Sequence, residues 1–217
     1  MASSYGPDIV LPGFEAIPFD PAQVRRELDE FADLLARQAT LSERRDVLPF
    51  FRARPQLSLF LGSYAVNLDG YDRLAYEYGL FGHFAADVVV GDWVRRAYCF
   101  IEFEDAQEDS VFTTTRRHTR EWGARFEHGF GQIVDWFWLL EAQRDTETFE
   151  RKFGARRIDA TALLITGRSA FIQPDDWPRL RWRTGNVLVG AHPVICRTYD
   201  EVLEGLRRKL DRGLHLR

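Results

Sequence analysis

Three acidic residues stand inside apolar stretches that are typical of buried strands. Asp87 precedes three valines, and Glu102 and Glu104 alternate with Ile101 and Phe103. Because successive strand side chains point to opposite faces, Glu102 and Glu104 share one face. A buried acid is costly unless it is paired or neutralised, and a divalent cation compensates several converging acids at once. Oxygen ligands of this kind suit Mg²⁺ or Mn²⁺, so the pattern predicts a carboxylate metal site.

The connection between the two acidic strands decides whether these acids meet. A two-residue turn within residues 91–96 would leave Asp87 roughly 20 Å from Glu102, at about 3.3 Å per residue. If all of residues 91–96 form the loop, Asp87 faces Phe100 and lies diagonal to Glu102, about 7 Å away. We expect the wide loop, because it brings the acids together.

An acid pair on a strand, taken without context, is more often an exposed polar face. The strand carrying Asp87 and a later helix carrying Gln132 favour a functional site, because several parts follow one another in order. His128 lies four residues before Gln132 and therefore on the same helical face. For both residues a solvated polar face is the alternative interpretation.

The elements that must position these residues form a mixed α/β (α+β) pattern. Helices come first, then antiparallel strands, then helix, strand, helix, strand and helix, which predicts a mixed central β-sheet flanked by helices. The domain division is an extended arm at residues 1–20, an N-terminal helix at 21–39 and a single domain at 40–217. Strands are predicted at residues 57–66, 84–90, 97–104, 162–166 and 194–198, and helices after the caps Asp20 and Thr40, at 122–144, and at 201–212 after the cap Asp200.

Composition restricts the class of protein more than its activity. The 217 residues carry a formal net charge of -4, which neither requires nor excludes a nucleic-acid partner. The two cysteines, Cys99 and Cys196, form no disulfide framework, and no secretory signal is visible. No apolar stretch approaches the roughly 20 residues that a membrane span needs. We therefore expect a cytoplasmic protein with no membrane partner.

Two segments resemble a known family of bacterial nucleases. The first reads Ile-Glu-Phe-Glu-Asp-Ala over residues 101–106, and the second contains Gly129, Gly131, Gln132 and Trp136 on the long predicted helix. Together with the acid on the preceding strand, they resemble the PD-(D/E)XK nuclease superfamily and, within it, the Shedu-type anti-phage nuclease domain, over roughly residues 40–210. The resemblance implies a restriction-endonuclease-like core and a metal-dependent DNA endonuclease in bacterial defence.

The resemblance also implies roles for individual residues. Asp87 and Glu102 correspond to the ligands of Mg²⁺ or Mn²⁺, with the backbone carbonyl of Phe103 assisting. Glu43 corresponds to a helix acid that completes such sites through water. Gln132 corresponds to a residue that positions the site. The implied chemistry is hydrolysis of a phosphodiester bond by an activated water.

Glu104 departs from the superfamily pattern, because it occupies the position of the usual Lys. An acid there could orient or deprotonate the attacking water, or hold a second metal ion. One rival hypothesis is therefore a catalytically inactive nuclease-fold module that binds nucleic acid or a protein partner. A second rival is a glycosidase that uses two carboxylates as acid and base.

Arginines provide candidate contacts to DNA phosphates, with a solvated loop as the alternative. The alternating Arg179, Arg181 and Arg183 would form one basic edge if their segment were extended, either to bind DNA or to discourage edge pairing. A homo-oligomer is expected, since paired cuts need two such cores. The candidate DNA-binding residues are Arg116, Arg117, Arg120 and Arg125.

Overall fold

The computed structural model of the protein describes residues 11–114 and 120–213. The first ten residues of the predicted arm lie outside these ranges, as do the candidate phosphate contacts Arg116 and Arg117. Within the described ranges, no helix is long and apolar enough to cross a membrane.

A seven-stranded mixed sheet forms the centre of the fold, which confirms the predicted fold class. Its strands follow the order β1-β2-β3-β4-β7-β9-β8, and β5 and β6 form a separate two-stranded sheet. Strands β2, β3 and β4 are antiparallel, whereas β7 runs parallel to both β4 and β9. The strands are β1 (Glu15–Ala16), β2 (Arg73–Leu80), β3 (Phe84–Asp92), β4 (Ala97–Phe103), β5 (Phe112–Thr114), β6 (Arg120–Trp122), β7 (Asp159–Ile165), β8 (Leu188–Val189) and β9 (His192–Arg197).

Helices cover both faces of this sheet. Asp20 caps the first helix as predicted, because its carboxylate accepts the backbone N–H groups of Ala22 and Gln23. A π-helical turn (Glu43–Val47) and a 3₁₀ turn (Leu61–Tyr64) connect the early helices. The α-helices are α1 (Pro21–Arg37), α2 (Leu48–Arg52), α3 (Pro55–Phe60), α4 (Ala124–Gln143), α5 (Glu147–Phe153), α6 (Trp177–Asn186) and α7 (Tyr199–Asp211).

Strand β4 separates two hydrophobic cores. Cys99 and Ile101 belong to the core beneath α1, α3 and α7, whereas Tyr98 and Phe100 belong to the core beneath α4, α5 and α6. Every residue of β4 is buried, because the strand has neighbours on both edges and helices on both faces. By alternation, residue 102 belongs to the face that α4 covers.

The predicted strand at residues 57–66 is wrong, because this segment forms α3 and the 3₁₀ turn after it. Pro55 begins the helix, and Leu57, Leu59 and Phe60 are all buried, so the segment has no polar face. A short apolar run that is buried on all sides has no periodicity that separates helix from strand. Strand β2, which was not predicted, provides the missing neighbour of β3.

Two predicted helix caps also differ from the structure. Thr40 does not cap a helix, because Leu41 pairs with Ala106 in a β-bridge and the helical turn begins only at Glu43. The last helix begins two residues earlier than predicted, with Thr198 as its cap instead of Asp200. Thr198 and Glu201 form a complete capping box, which satisfies two backbone N–H groups and outweighs a single aspartate cap.

Candidate active site

The register of β3 and β4 brings Asp87 directly opposite Glu102. Val88 pairs with Ile101 and Asp92 pairs with Ala97, so only residues 93–96 remain in the turn. The expected register, with Asp87 facing Phe100, is therefore wrong by two residues. The shorter turn places the two acids closer than the diagonal arrangement predicted from the wide loop.

The side chain of Asp92 explains this tighter turn. Its buried carboxylate accepts the backbone N–H groups of Asp69 and Gly70 at 3.0 and 2.9 Å, and that of Arg95 at 3.0 Å. These hydrogen bonds keep Asp92 within β3, and the chain reverses its direction directly after Asp92, over residues 93–96. These hydrogen bonds could not be predicted from the sequence, because Asp69 and Gly70 lie more than twenty residues from Asp92.

Asp87 is held by the strand that carries its partner acid. The backbone N–H of Phe103 donates to Asp87 Oδ2 at 2.8 Å. Burial raises the pKa of Asp87, and the nearby carboxylates of Glu43 and Glu104 raise it further, while the Phe103 amide opposes them. Without a cation, this acid therefore retains its proton to higher pH than an ordinary aspartate.

The surroundings of Glu102 disfavour its charged form. The amide of Gln132 donates to its Oε1, but its Oε2 is buried with no hydrogen-bond partner among the described residues. Burial raises the pKa of Glu102, followed by the charges of Asp87, Glu104 and Glu43. An orphaned buried carboxylate oxygen beside a second acid is the type of arrangement that a divalent cation satisfies.

Gly129 lets helix α4 approach these acids. A Cβ atom at this position would lie 2.6 Å from Leu164 Cδ1 and 3.0 Å from Glu104 Cγ. A larger residue would force either these side chains or the helix to shift. The glycine of the Gly-x-Gly-Gln segment thus explains why His128 and Gln132, one turn apart, reach the carboxylates.

His128 contacts Glu104, an interaction that sequence reasoning missed. Nδ1 of His128 lies 2.6 Å from Glu104 Oε1, and the amide of Gln132 lies 3.4 Å from the same ring nitrogen. Burial raises the pKa of Glu104, and His128 opposes this effect. The i, i+4 spacing of His128 and Gln132 was the signal for this contact, since it places both on the face that meets Glu104.

Glu43, in the π-helical turn, adds a fourth acid to this cluster. Its backbone N–H donates to Asp105 Oδ1 at 2.7 Å, which fixes the helical turn beside the end of the strand. Burial raises the pKa of Glu43, and the charge of Asp105 adds to this effect. Glu43 in turn raises the pKa of Asp87, Glu102 and Glu104, so these four acids share one electrostatic environment.

The two described arginine candidates form ion pairs within the chain. Arg125 contacts Asp105 at 2.9 Å and Asp109 at 3.2 Å, and its side chain is 37% exposed. Arg120 contacts Asp176 at 2.9 Å. Arg125 thus lies beside the carboxylate cluster through Asp105, whereas Arg120 joins β6 to the segment that precedes α6.

Whether these residues suit a divalent metal depends on Asp87 and Glu102. In residues 11–114 and 120–213, no three Asp, Glu, His or Cys side chains form a cluster that could hold a metal ion. Mg²⁺ commonly takes only one or two protein carboxylates and keeps several waters. The opposed pair, with one oxygen left without a partner, fits that mode of binding.

A comparison with known protein families identifies the family of this chain. The sequence model of the family described as "Shedu protein SduA, C-terminal" matches residues 40–203, which is most of the chain. The match includes all five acidic and amide residues of the candidate site. No curated protein matches the chain. The chain therefore belongs to the Shedu protein family, and this membership implies a role in anti-phage defence.

Proposed function

We propose that this protein is a divalent-metal-dependent nuclease of the PD-(D/E)XK type that hydrolyses DNA phosphodiester bonds in anti-phage defence. The observation that carries the proposal is the opposition of Asp87 and Glu102 across β3 and β4, with Glu102 Oε2 buried and without a hydrogen-bond partner in the described part of the chain. The order of β2, β3 and β4, followed by α4 and the parallel strand β7, suits a restriction-endonuclease-like core.

Asp87 and Glu102, assisted by the backbone carbonyl of Phe103, would hold Mg²⁺ or Mn²⁺. When bound, the ion supplies Lewis-acid activation of water and charge stabilisation at the leaving oxygen. Gln132 is a positioning residue, because its amide fixes Glu102 Oε1 and leaves Oε2 for the ion. Glu43 would contribute through water.

Glu104 would accept the proton of the attacking water, and His128 would transfer this proton to solvent. A carboxylate with a raised pKa is a stronger base than an ordinary one, and burial raises the pKa of Glu104. His128 lies against Glu104 Oε1 and is largely exposed, so it can pass the proton to solvent. A protonated His128 would also bring a positive charge to the neighbourhood from which the usual Lys is missing.

The expected partners are DNA and further copies of the chain. Phosphate contacts are proposed for Arg116, Arg117, Arg120 and Arg125, of which Arg125 lies beside the acids and would exchange Asp109 for a phosphate. For self-association, α4 offers Val134 and Trp138, which are one turn apart and exposed. This exposed apolar pair is the proposed contact between copies of the chain.

A plasmid-nicking assay tests the proposal. We expect cleavage of supercoiled DNA with Mg²⁺ or Mn²⁺, none with a chelator, and a loss of at least a hundredfold in Glu102→Gln. Glu108→Gln is the matched control, because Glu108 is exposed and lies only six residues away. Undiminished cleavage by Glu102→Gln would show that the site is elsewhere.

A second candidate function is a nuclease-fold module that binds nucleic acid or a protein without cleaving. The presence of Glu104 at the Lys position favours it. DNA binding in a mobility-shift assay, with no cleavage under any metal condition, would support this module over the nuclease. The glycosidase hypothesis has no such support, because it needs two acids that face each other across an open groove, whereas Asp87 and Glu102 lie on adjacent strands and Glu102 is buried.

A further inference from the structure

A basic cleft lies beside α7, and none of its lining residues belongs to the carboxylate site. It has a volume of about 770 Å³ and is bounded by α7, the end of β9, the start of α6 and the 3₁₀ turn at Tyr64. Its walls carry five cations, namely Arg181, Arg197, Arg208, Lys209 and Arg212. Ligand sites commonly have volumes of roughly 300–1,000 Å³, so the cleft could hold a small molecule.

The positive charge of this cleft is not balanced by the rest of the fold. None of the five cations forms an ion pair with a carboxylate of the residues that the structure describes, whereas Arg207, on another side of α7, pairs with Asp29. Two acids, Glu201 and Glu204, also line the cleft, so five basic side chains stand against two acidic ones. The cleft therefore carries a net positive charge that favours an anionic ligand.

Aromatic rings accompany these cations. Nζ of Lys209 lies 4.1 Å from the ring centre of Tyr64, and the Arg197 guanidinium lies 5.9 Å from the same centre. A Cβ atom on Gly205 would overlap the Tyr64 hydroxyl, so this glycine makes room for the ring against α7. Trp177, which also lines the cleft, is partly buried, and its ring centre lies 5.8 Å from the Arg181 guanidinium.

We propose that this cleft binds a free nucleotide. Guanidinium groups match phosphate oxygens in planar, two-pronged hydrogen bonds, and Arg181, Arg197 and Arg208 would supply them. The exposed part of the Trp177 indole provides a surface for a planar base. A half-open recess of about 770 Å³ suits a compact polyanion better than a long duplex, which needs an extended basic surface. The proposal does not depend on the chemistry of the carboxylates.

The position of Arg181 on a helix explains why this cleft was not predicted from the sequence. The alternating Arg179, Arg181 and Arg183 do not form an extended basic edge, because Pro178 opens a helix and their segment is α6. Arg179 contacts Asp176 and Arg183 pairs with Glu127, while Arg181 lines the cleft. The helix thus separates three similar arginines into different environments.

Calorimetric titration of the full chain with ATP, in the presence of a chelator, tests the proposal. We expect saturable binding of one nucleotide per chain, and binding at least tenfold weaker when Arg181→Ala and Arg208→Ala are combined. Arg207→Ala is the control and should bind as the wild type does. Glu102→Gln should also bind ATP normally, so failure at the carboxylates is distinguishable from failure here.

Two further probes test the recognition of the base. Trp177→Leu, which keeps an apolar side chain, should weaken ATP but leave inorganic triphosphate unchanged, with circular dichroism confirming the fold. Equal affinity of the wild type for ATP and for inorganic triphosphate would overturn the proposal. Unchanged ATP affinity in the variant that combines Arg181→Ala and Arg208→Ala would also overturn it. Binding of a short oligothymidylate without binding of ATP would also overturn it, in favour of a strand of nucleic acid.

Discussion

The imidazole of His128 lies against the carboxylate of Glu104, with Nδ1 and Oε1 2.6 Å apart. Glu104 is almost entirely buried, while the His128 side chain is 68% exposed. The exposed imidazole of His128 therefore connects the buried carboxylate of Glu104 to solvent. This contact lies at the end of the strand that carries Glu102.

The pH dependence of cleavage should change when this contact is removed. His128 lowers the pKa of Glu104 against the effect of burial, so His128→Asn should raise that pKa. The acid limb of the kcat profile should move to higher pH, and kcat at pH 7 should fall about tenfold to a hundredfold. His83→Asn, at an exposed position, is the control. A merely structural role for His128 would lower the rate without moving the acid limb.

Glu102→Gln should stabilise the metal-free protein at alkaline pH. The folded-state pKa of Glu102 is raised, so its protonated form stabilises the fold below the unfolded pKa of about 4.3, and this contribution is lost as pH rises. At pH 8 with a chelator, the variant should gain about 1–3 kcal/mol in free energy of unfolding, and the gain should shrink toward pH 5. Urea denaturation of both proteins measures it, and parallel pH profiles would contradict it.

Binding of Mn²⁺ should displace protons from the acid pair. Because burial raises the pKa of Asp87 and of Glu102, an ion must compete with hydrogen ions for their oxygens. The affinity should rise about tenfold per pH unit for each proton displaced, from pH 6 upward. Titration calorimetry in buffers of different ionisation enthalpy counts the protons, and Asp87→Asn should reduce the count. An affinity independent of pH would exclude these acids as ligands.

Two glycines of α4 should respond in opposite directions to alanine. Gly129→Ala forces a methyl group against Leu164 and Glu104, and should cost about 1–3 kcal/mol of stability together with most of the activity. Gly131→Ala meets nothing within 4 Å and should stabilise the helix by about 0.5–1 kcal/mol. Urea denaturation and the nicking assay compare them. Equal effects would mean that α4 does not pack as described.

Trp138→Glu should reduce the mass of any homo-oligomer. Trp138 and Val134 are exposed one turn apart on α4, and a charge there would oppose burial against another copy of the chain. Light scattering after size-exclusion chromatography measures the mass. Trp182→Glu, which alters an equally exposed tryptophan on α6, is the comparison. An unchanged mass in Trp138→Glu would place the interface elsewhere.

The sequence predicted the parts of the fold whose signals are local. Asp20 followed by Pro21 located the start of α1, and the apolar spacing after residue 122 located α4. The register of β3 and β4 was not predictable in this way, because bonds from Asp92 to Asp69 and Gly70 cross more than twenty residues. The acids were identified from their positions in apolar strands, whereas their contacts with α4 depend on the packing around Gly129.

The central position of β4 in the sheet limits the movement of Glu102, which it carries. It is hydrogen-bonded to β3 on one edge and to β7 on the other, and all its residues are buried. Its amide hydrogens should therefore be among the last in the protein to exchange with deuterium, since they require global unfolding. Glu102 would keep its place while loops and outer strands open and close, so a passing substrate meets carboxylates that need no rearrangement.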